Sequence, residues 1–355
     1  MHYFMKFGFT IKELVLLASL FVGVCVLTFG SRTLRLSSSA LQFDQPVSIY
    51  LESSTDLDGL IDTLTSAPAE INEDEFRWAS RLLGWRTFRA GHYKFEGAYS
   101  YDELLTKIAY GSQDPVNVTI LPGLTRNRLA RDLGRQLKLD SLDIEQVFED
   151  SLYLNDKALS KEQLFGRMLP NTYSMYWTIS ASNVIDRVLT EFEDAVIEAY
   201  TSEFSNLEYT VDDIVALASI VEWEANIEDE KPIIAGLYWN RLKKRMHLNA
   251  DPTINFAVGE RRRLLLKDYK VEHPYNTYIH YGLPPGPVTN PSLSTIRATL
   301  NPQDHDYIYM VASPEGGHVF NKTYQGHLAD SEKWRKWIQE QYRIKRQRER
   351  EATGG

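Results

Sequence analysis

The chain has 355 residues, of which 43% are hydrophobic, and carries 39 Lys and Arg against 48 Asp and Glu, a net charge of -9. This composition is typical of globular protein with roughly two domains, and it argues against extensive disorder. The acidic balance does not suit a phosphate-binding surface, so no nucleic-acid partner is expected.

Cys25 is the only cysteine, and it lies in the most apolar segment of the chain. An intramolecular disulfide and a zinc site built from cysteines are therefore excluded. The histidines follow no zinc-binding spacing, and the sequence has no phosphate-binding or dinucleotide-binding glycine motif. We therefore predict neither a metal nor a cofactor.

The N-terminal region contains an apolar run, Leu14–Gly30, interrupted only by Ser19 and Thr28. With the apolar residues just upstream it reaches the ~20 residues needed to cross a bilayer. We predict a transmembrane anchor over residues 14–30, after a cytoplasmic segment of residues 1–13. A cleaved signal peptide is the alternative, although no small-x-small cleavage pattern follows. Basic residues flank both sides, so the positive-inside rule does not set the orientation.

The next segments predict a polar stalk over residues 31–47 and a small α/β subdomain over residues 48–123. Alternating and helical apolar spacings distinguish its strands from its helices. The predicted strands are residues 47–51, 91–95 and 117–121, and the predicted helices are residues 57–64, 73–83 and 100–110.

Residues 124–330 predict a second, mixed helical and β domain, so the fold class is α+β. The middle is mostly helical up to residue 204, with a loop at residues 165–173. The strongest helices are residues 212–225 and 230–245, followed by about forty loop-like residues and a strand pair at residues 307–312 and 318–320. Residues 331–355 form a predicted C-terminal helix and basic tail with a solvated polar face.

Two glutamates, Glu222 and Glu224, stand near the end of the helix at residues 212–225. They fall on opposite shoulders of its apolar stripe, where burial would raise a carboxyl pKa and favour a general acid. Side chains two positions apart on a helix point away from each other, so at most one is catalytic. The other would be structural or paired with Arg241 or Arg245, and periodicity leaves the choice open. The stripe consists of Ile214, Leu217, Ala218, Val221 and Ala225.

The loop-like segment after residue 245 is rich in Pro, Gly, Asn and Tyr. A long loop within a compact domain commonly builds a functional surface. Amides and hydroxyls can bind sugar hydroxyls, and tyrosines can pack on the apolar faces of sugars. The alternative is a structural loop stiffened by its prolines.

Six motifs, in this order, make the chain resemble the YceG-like endolytic murein transglycosylases. They are Ala218-Ser-Ile-Val-Glu-x-Glu224, Asn240-Arg241-Leu242, Leu248-x-x-Asp-Pro-Thr253, Tyr275-Asn-Thr-Tyr278, Gly282-Leu-Pro-Pro-Gly286 and Gly317-His-x-Phe-Asn321. Upstream, Ala90-Gly-His-Tyr-Lys-Phe95 resembles the LysM-like subdomain of that family. The sequence departs from the family at Trp223, where a basic residue is usual.

The resemblance implies that Glu224 is the single catalytic acid and base and that Glu222 supports it. It also makes a set of cleft residues candidates for substrate binding, together with Glu222. These are Asp251, Thr253, Tyr275, Asn276, Tyr278 and Asn290.

The family reaction cleaves the bond between N-acetylmuramic acid (MurNAc) and N-acetylglucosamine (GlcNAc) within peptidoglycan strands and leaves a 1,6-anhydro end. The resemblance therefore implies a lytic transglycosylase in the bacterial inner membrane, with its catalytic part in the periplasm. It further implies glycan-polymerising penicillin-binding proteins as partners and a role in terminating nascent strands. The competing hypotheses are a non-catalytic peptidoglycan-binding scaffold and a hydrolytic muramidase.

Overall fold

The computed structural model describes residues 10–66 and 71–353. Contacts divide the chain into two compact units. The first reaches to Val116 and includes the short segment Tyr176–Thr178; the second comprises Asn117–Met175 and the chain from Ile179 onward. The predicted boundary after residue 123 lies a few residues beyond this division.

The first helix, α1 (Ile11–Ser37), is long and apolar enough to cross a membrane. Its N-terminus is capped by Thr10, whose side chain accepts from the Glu13 N–H while the Glu13 carboxylate accepts from the Thr10 N–H. The helix has 27 residues, a length of about 40 Å. It is compatible with a single-pass membrane anchor, and it extends beyond the predicted span at both ends. Most of the predicted cytoplasmic segment lies outside the described residues.

The polar stalk predicted for residues 31–47 is wrong. Helix α1 continues to Ser37, and strand β1 (Ser39–Leu51) begins after one intervening residue. Leu41 and Phe43 are each 2% exposed and belong to the core of the first unit. Their spacing of two places both on one face of the strand. The polar residues that alternate with them point the other way and give the segment its stalk-like composition.

The first unit is an antiparallel pair of long strands covered by three helices. Strand β1 pairs with the next strand through two irregularities in register. Phe76, Phe88 and Tyr93 are fully buried in its core. The strands and helices predicted here from residue 47 to residue 110 are confirmed. The elements after β1 are α2 (Leu57–Thr65), α3 (Glu73–Leu83), β2 (Gly91–Ser100) and α4 (Tyr101–Tyr110).

The second unit is mainly helical and contains two short strand pairs, β3 with β4 and β5 with β6. A π-helical turn, Glu193–Glu198, continues the helix Ala181–Phe192. Its elements are β3 (Pro115–Ile120), α5 (Arg126–Gln136), α6 (Ser141–Glu149), α7 (Ser151–Lys157), α8 (Lys161–Gly166), β4 (Asn171–Tyr176), α9 (Ala181–Phe192), α10 (Thr201–Ser205), α11 (Val211–Glu224), α12 (Lys231–Lys243), α13 (Asp251–Val258), α14 (Leu293–Leu300), β5 (Tyr309–Ala312), β6 (His318–Asn321) and α15 (Tyr324–Thr353).

Two elements of the second unit differ from the prediction. Strand β4 begins at Asn171, inside the segment predicted to be a loop. Helix α13 occupies part of the forty residues predicted to be loop-like, with Pro252 in its first turn and Gly259 ending it in the left-handed region. Proline is tolerated in the first turn of a helix because its missing N–H would have no intrahelical partner there. The strand pair near the C-terminus is confirmed.

Helix α11 runs through the centre of the second unit. All residues from Ile214 to Val221 are buried. The single apolar stripe predicted for this helix is therefore too narrow, because Ser219 and Ile220 on the opposite side are also buried. A helix buried on every side must be apolar all round, apart from polar groups with internal partners. The last turn leaves this core and carries the two glutamates.

Replacing Gly236 of α12 with alanine is expected to destabilise the protein by about 1–3 kcal/mol. An added Cβ would lie 2.6 Å from the carbonyl oxygen of Gln303 and 2.8 Å from the Nε2 atom of His305. This Nε2 also bonds to the Ile233 carbonyl at 2.9 Å, which leaves the imidazole little freedom to move. Thermal unfolding in one detergent measures the effect. Gly30→Ala, where no atom lies within 4 Å, is the control; an equal melting temperature for the two variants would contradict this packing.

Candidate active site

The Glu222 carboxylate is held by groups inside the protein. Its Oε2 atom accepts from the Ser292 N–H at 2.9 Å and from the Ser292 hydroxyl at 2.7 Å, and it also accepts from the Thr295 hydroxyl. The Lys231 Nζ atom lies 3.7 Å from Oε1, and both side chains are less than 10% exposed. Glu222 therefore joins the end of α11 to the starts of α12 and α14.

The Arg241 side chain bonds to backbone carbonyls rather than to a glutamate. Its Nε donates to the Ile308 carbonyl at 2.7 Å, and its Nη1 donates to the Leu248 carbonyl at 2.5 Å. The prediction that Arg241 or Arg245 pairs with Glu222 is wrong, because the cation there is Lys231. Arg241 instead contributes positive charge near Glu224.

Glu224 lies in a setting suited to a general acid. Burial is the larger cause that raises the pKa of Glu224, and the negative charge of Asp251 adds to it. A hydrogen bond from Tyr238 and the positive charge of Arg241 act in the opposite direction, and the resulting pKa is about 7. A carboxyl group with this pKa is protonated in a large fraction of molecules near neutral pH. It can give up a proton and take one back in the same pH range.

Asp251, the first residue of α13, is oriented by two tyrosines. The Tyr278 hydroxyl donates to its Oδ1 at 2.6 Å, and the Tyr269 hydroxyl donates to its Oδ2 at 3.4 Å. The two rings meet edge to face at 4.8 Å. Burial first, and then the charge of Asp251, raise the pKa of both phenols. Both hydroxyls therefore remain protonated donors, and Asp251 is kept as an acceptor beside Glu224.

Three other predicted substrate-binding residues are fully buried: Thr253, Asn276 and Asn290. Their polar atoms bond within the protein and fix the course of the loop after residue 245. The Thr253 hydroxyl contacts Ala250 and Thr277; Asn276 bonds to Tyr269, Val271 and Tyr278; Asn290 bonds to Leu121, Leu124 and Met168. The structure thus places these side chains behind the site surface.

Tyr275 lies on the wall of a cavity of about 370 Å³ that Trp223 also lines. Its ring stacks on Phe256 at 4.2 Å, and it is 6% exposed. The hydroxyl is buried without a hydrogen-bond partner among the described residues. Sequence reasoning also missed Tyr238, which bonds Glu224, because a tyrosine inside an apolar helix carries no sign of its partner.

Within residues 10–66 and 71–353, no group of three or more His, Cys, Asp or Glu side chains is arranged to hold a metal ion. The site is instead made of a carboxyl group, a second carboxylate, phenols and a guanidinium.

Comparison with known families matches residues 49–333 to the model described as the YceG-like family. The chain belongs to the YceG-like family. The endolytic murein transglycosylase of Bacillus subtilis (strain 168) is 27% identical over 304 residues, covering 81% of this chain and 84% of that protein. The protein of the same name from Streptococcus pneumoniae is 28% identical over 279 residues, covering 69% of this chain and 50% of its own length.

A YceG-like protein from Listeria monocytogenes is similar in structure. Its crystal structure at 2.6 Å covers 81% of this chain and 99% of its own, with a TM-score of 0.58 and 27% identity. The family match extends through both compact units. It contains α11, α13 and every residue of the candidate site.

Replacing Asp251 with asparagine is expected to shift the pH dependence of this YceG-like protein. The Asp251 charge raises the pKa of Glu224, so removing it lowers that pKa below about 7. If the protonated form is active, activity falls as pH rises through this pKa, and the fall begins at lower pH in the variant. A pH–rate profile measures the shift. Asp229→Asn, a change on the turn before α12, serves as the control; an unmoved alkaline limb in Asp251→Asn would contradict the coupling.

Proposed function

We propose that this protein is an endolytic murein transglycosylase that cleaves the MurNAc–GlcNAc bond within peptidoglycan strands. The observation that carries the proposal is the half-buried Glu224 with its raised pKa beside Asp251, Tyr238 and Tyr278. Membership of the YceG-like family and the names of the relatives support the same reaction.

The reaction requires one group that gives and then takes a proton. Protonated Glu224 donates to the glycosidic oxygen as the bond from that oxygen to C1 of MurNAc breaks. The resulting carboxylate accepts the proton of the MurNAc 6-hydroxyl as O6 forms a bond to C1. The products are a GlcNAc end with a free 4-hydroxyl and a 1,6-anhydroMurNAc end, and Glu224 is protonated again. No water is consumed, whereas most glycosidases use two carboxylates flanking the bond.

The remaining residues position the substrate or support the cleft. Asp251 faces the positive charge that develops at C1, and Tyr278 fixes its orientation through a 2.6 Å hydrogen bond. Tyr275 contacts the substrate from the cavity wall. Glu222, Thr253, Asn276 and Asn290 hold the backbone that carries these groups, since their polar atoms bond within the protein.

The substrate sets the location of the enzyme. Peptidoglycan lies outside the cytoplasmic membrane, so α1 anchors the chain, with the rest of the first unit and the second unit on the periplasmic side. The strand pair and helices of the first unit form the LysM-like subdomain and bind glycan. The protein acts with glycan-polymerising penicillin-binding proteins and ends nascent strands by cutting them.

The test is digestion of nascent glycan strands by the full chain in detergent, followed by mass spectrometry of the ends. We expect 1,6-anhydro ends, which are lighter than reducing ends by one water. Reducing ends alone would identify a muramidase. Glycan binding without any cleavage would identify a scaffold, and either result would overturn the proposal.

A further inference from the structure

The cavity beside Trp223 has features that cleavage of the glycan bond does not explain. Its volume is about 370 Å³, and its wall comes from the starts of α5 and α8, the ends of α11 and α13, and the loop that carries Tyr275. All of these belong to the second unit. A cavity of this size accommodates a peptide of a few amino acids or one sugar unit.

The cavity is lined by residues that are neighbours of the proposed catalytic group along two helices. Trp223, on its wall, precedes Glu224 in the last turn of α11. Helix α13 brings Asp251 to Glu224 with its first residue and brings Asn255, one turn later, to the cavity. The cavity and Glu224 are therefore within one helical turn of each other along both helices, close enough for one substrate to extend over both.

The Tyr275 hydroxyl is an unused polar group on this wall. It is buried and has no hydrogen-bond partner among the described residues. Buried polar atoms in native proteins are nearly always paired, so the unpaired hydroxyl is a candidate partner for a ligand atom. The phenol is held rigidly by its stack on Phe256.

The cavity wall carries charges of both signs. Three cations line it, Arg126, Lys161 and Arg261, together with Glu162 and Glu260. A GlcNAc unit is neutral and gains little from such a wall, whereas a peptide with free carboxylates and an amine matches it.

Arg261 is the cation most available to a ligand. Arg126 and Lys161 share the Glu149 carboxylate at 3.0 and 3.3 Å. Arg261 instead lies over the Trp223 ring at 4.7 Å. Among residues 10–66 and 71–353, no carboxylate forms a salt bridge with it, so its charge can serve a carboxylate that is not part of the chain.

We propose that this cavity binds the peptide attached to the lactyl group of MurNAc and pairs a peptide carboxylate with Arg261. The enzyme then selects strands that carry their peptides over strands from which peptides have been removed. The inference rests on the proposed function, because it places a MurNAc at Glu224.

The test compares cleavage of peptide-bearing strands with cleavage of the same strands after an amidase has removed the peptides. We expect wild-type protein to cleave peptide-bearing strands about tenfold faster in kcat/KM, as one charged hydrogen bond would give. Arg261→Gln is expected to reduce this ratio to near one, mainly through KM, and Arg261→Lys to restore part of it. Arg263→Gln, an exposed cation two residues away that does not line the cavity, keeps the ratio.

Tyr275→Phe provides a second measurement that changes no charge and leaves the stacked ring in place. We expect it to lower the same ratio several-fold with an unchanged melting temperature. Equal losses on both substrates would assign the cavity to a sugar, and an unchanged ratio in Arg261→Gln would leave it without a peptide; either overturns the inference. Each of these two contradicting outcomes can be seen only if peptide-free strands are cleaved. They are therefore distinct from failure of the proposed function, in which neither substrate is cut.

Discussion

Replacing Glu224 with glutamine is expected to reduce glycan cleavage by about 10²–10⁴-fold while leaving the fold intact. Glutamine keeps the size of the side chain and can still accept the hydrogen bond from Tyr238, but it has no acidic proton that it can transfer to the glycosidic oxygen. The measurement is the rate at which 1,6-anhydro ends appear, with circular dichroism and thermal unfolding as the check on structure.

The stability of the same variant tests the burial of Glu224. Its pKa is raised from 4.5 to about 7, so the folded state binds the proton more tightly than the unfolded state. Wild-type stability therefore falls as pH rises from about 4.5 to about 7, and glutamine removes this loss. At pH 8 we expect Glu224→Gln to melt no lower than the wild type. Glu315→Gln, on an exposed turn, is the control for both measurements. Full glycan-cleaving activity in Glu224→Gln would refute the proposed mechanism.

Replacing Asn290 with alanine is expected to destabilise the protein by about 3–5 kcal/mol. Its Oδ1 accepts from the Leu124 N–H at 2.8 Å, and its Nδ2 donates to the carbonyls of Leu121 and Met168 at 3.0 Å each. Because Asn290 is fully buried, alanine leaves all three backbone groups without a partner.

Thermal unfolding measures this loss as a fall in melting temperature. Asn301→Ala, at an exposed position after α14, is the matched control and is expected to melt like the wild type. A direct substrate-binding role for Asn290 predicts the reverse pattern. In that case Asn290→Ala would keep its melting temperature and raise KM.

The fold was predictable where apolar periodicity and local end signals agree. The bounds predicted for helix α3 agree with the structure, in which Asn72 caps its start and Gly84 ends it in the left-handed region. Strand β1 was not found before residue 47, since its polar face dominates the composition of that segment. Helix α13 was missed because its proline resembles a loop signal.

The candidate site was predictable in its residue types but not in its partners. Helical spacing placed Glu222 and Glu224 on different sides and could not choose between them. In the structure the two glutamates differ in their partners, which come from elsewhere in the chain. Glu222 accepts from Ser292, whereas Glu224 is close to Asp251 and Tyr238. Such long-range neighbours leave no local periodic signal.

The junction between α1 and the first unit determines how far that unit can move from the bilayer. Only Ser38 separates the helix from β1, and Arg35 in the last turn of the helix donates to Glu75 of α3 and lies 4.1 Å from the centre of the Trp78 ring. A helix of about 40 Å exceeds the hydrocarbon layer by roughly 10 Å, so the sheet begins just above the lipid headgroups. With α1 in the membrane, this short and rigid connection holds the strands and helices that follow it at a nearly fixed distance from the bilayer surface.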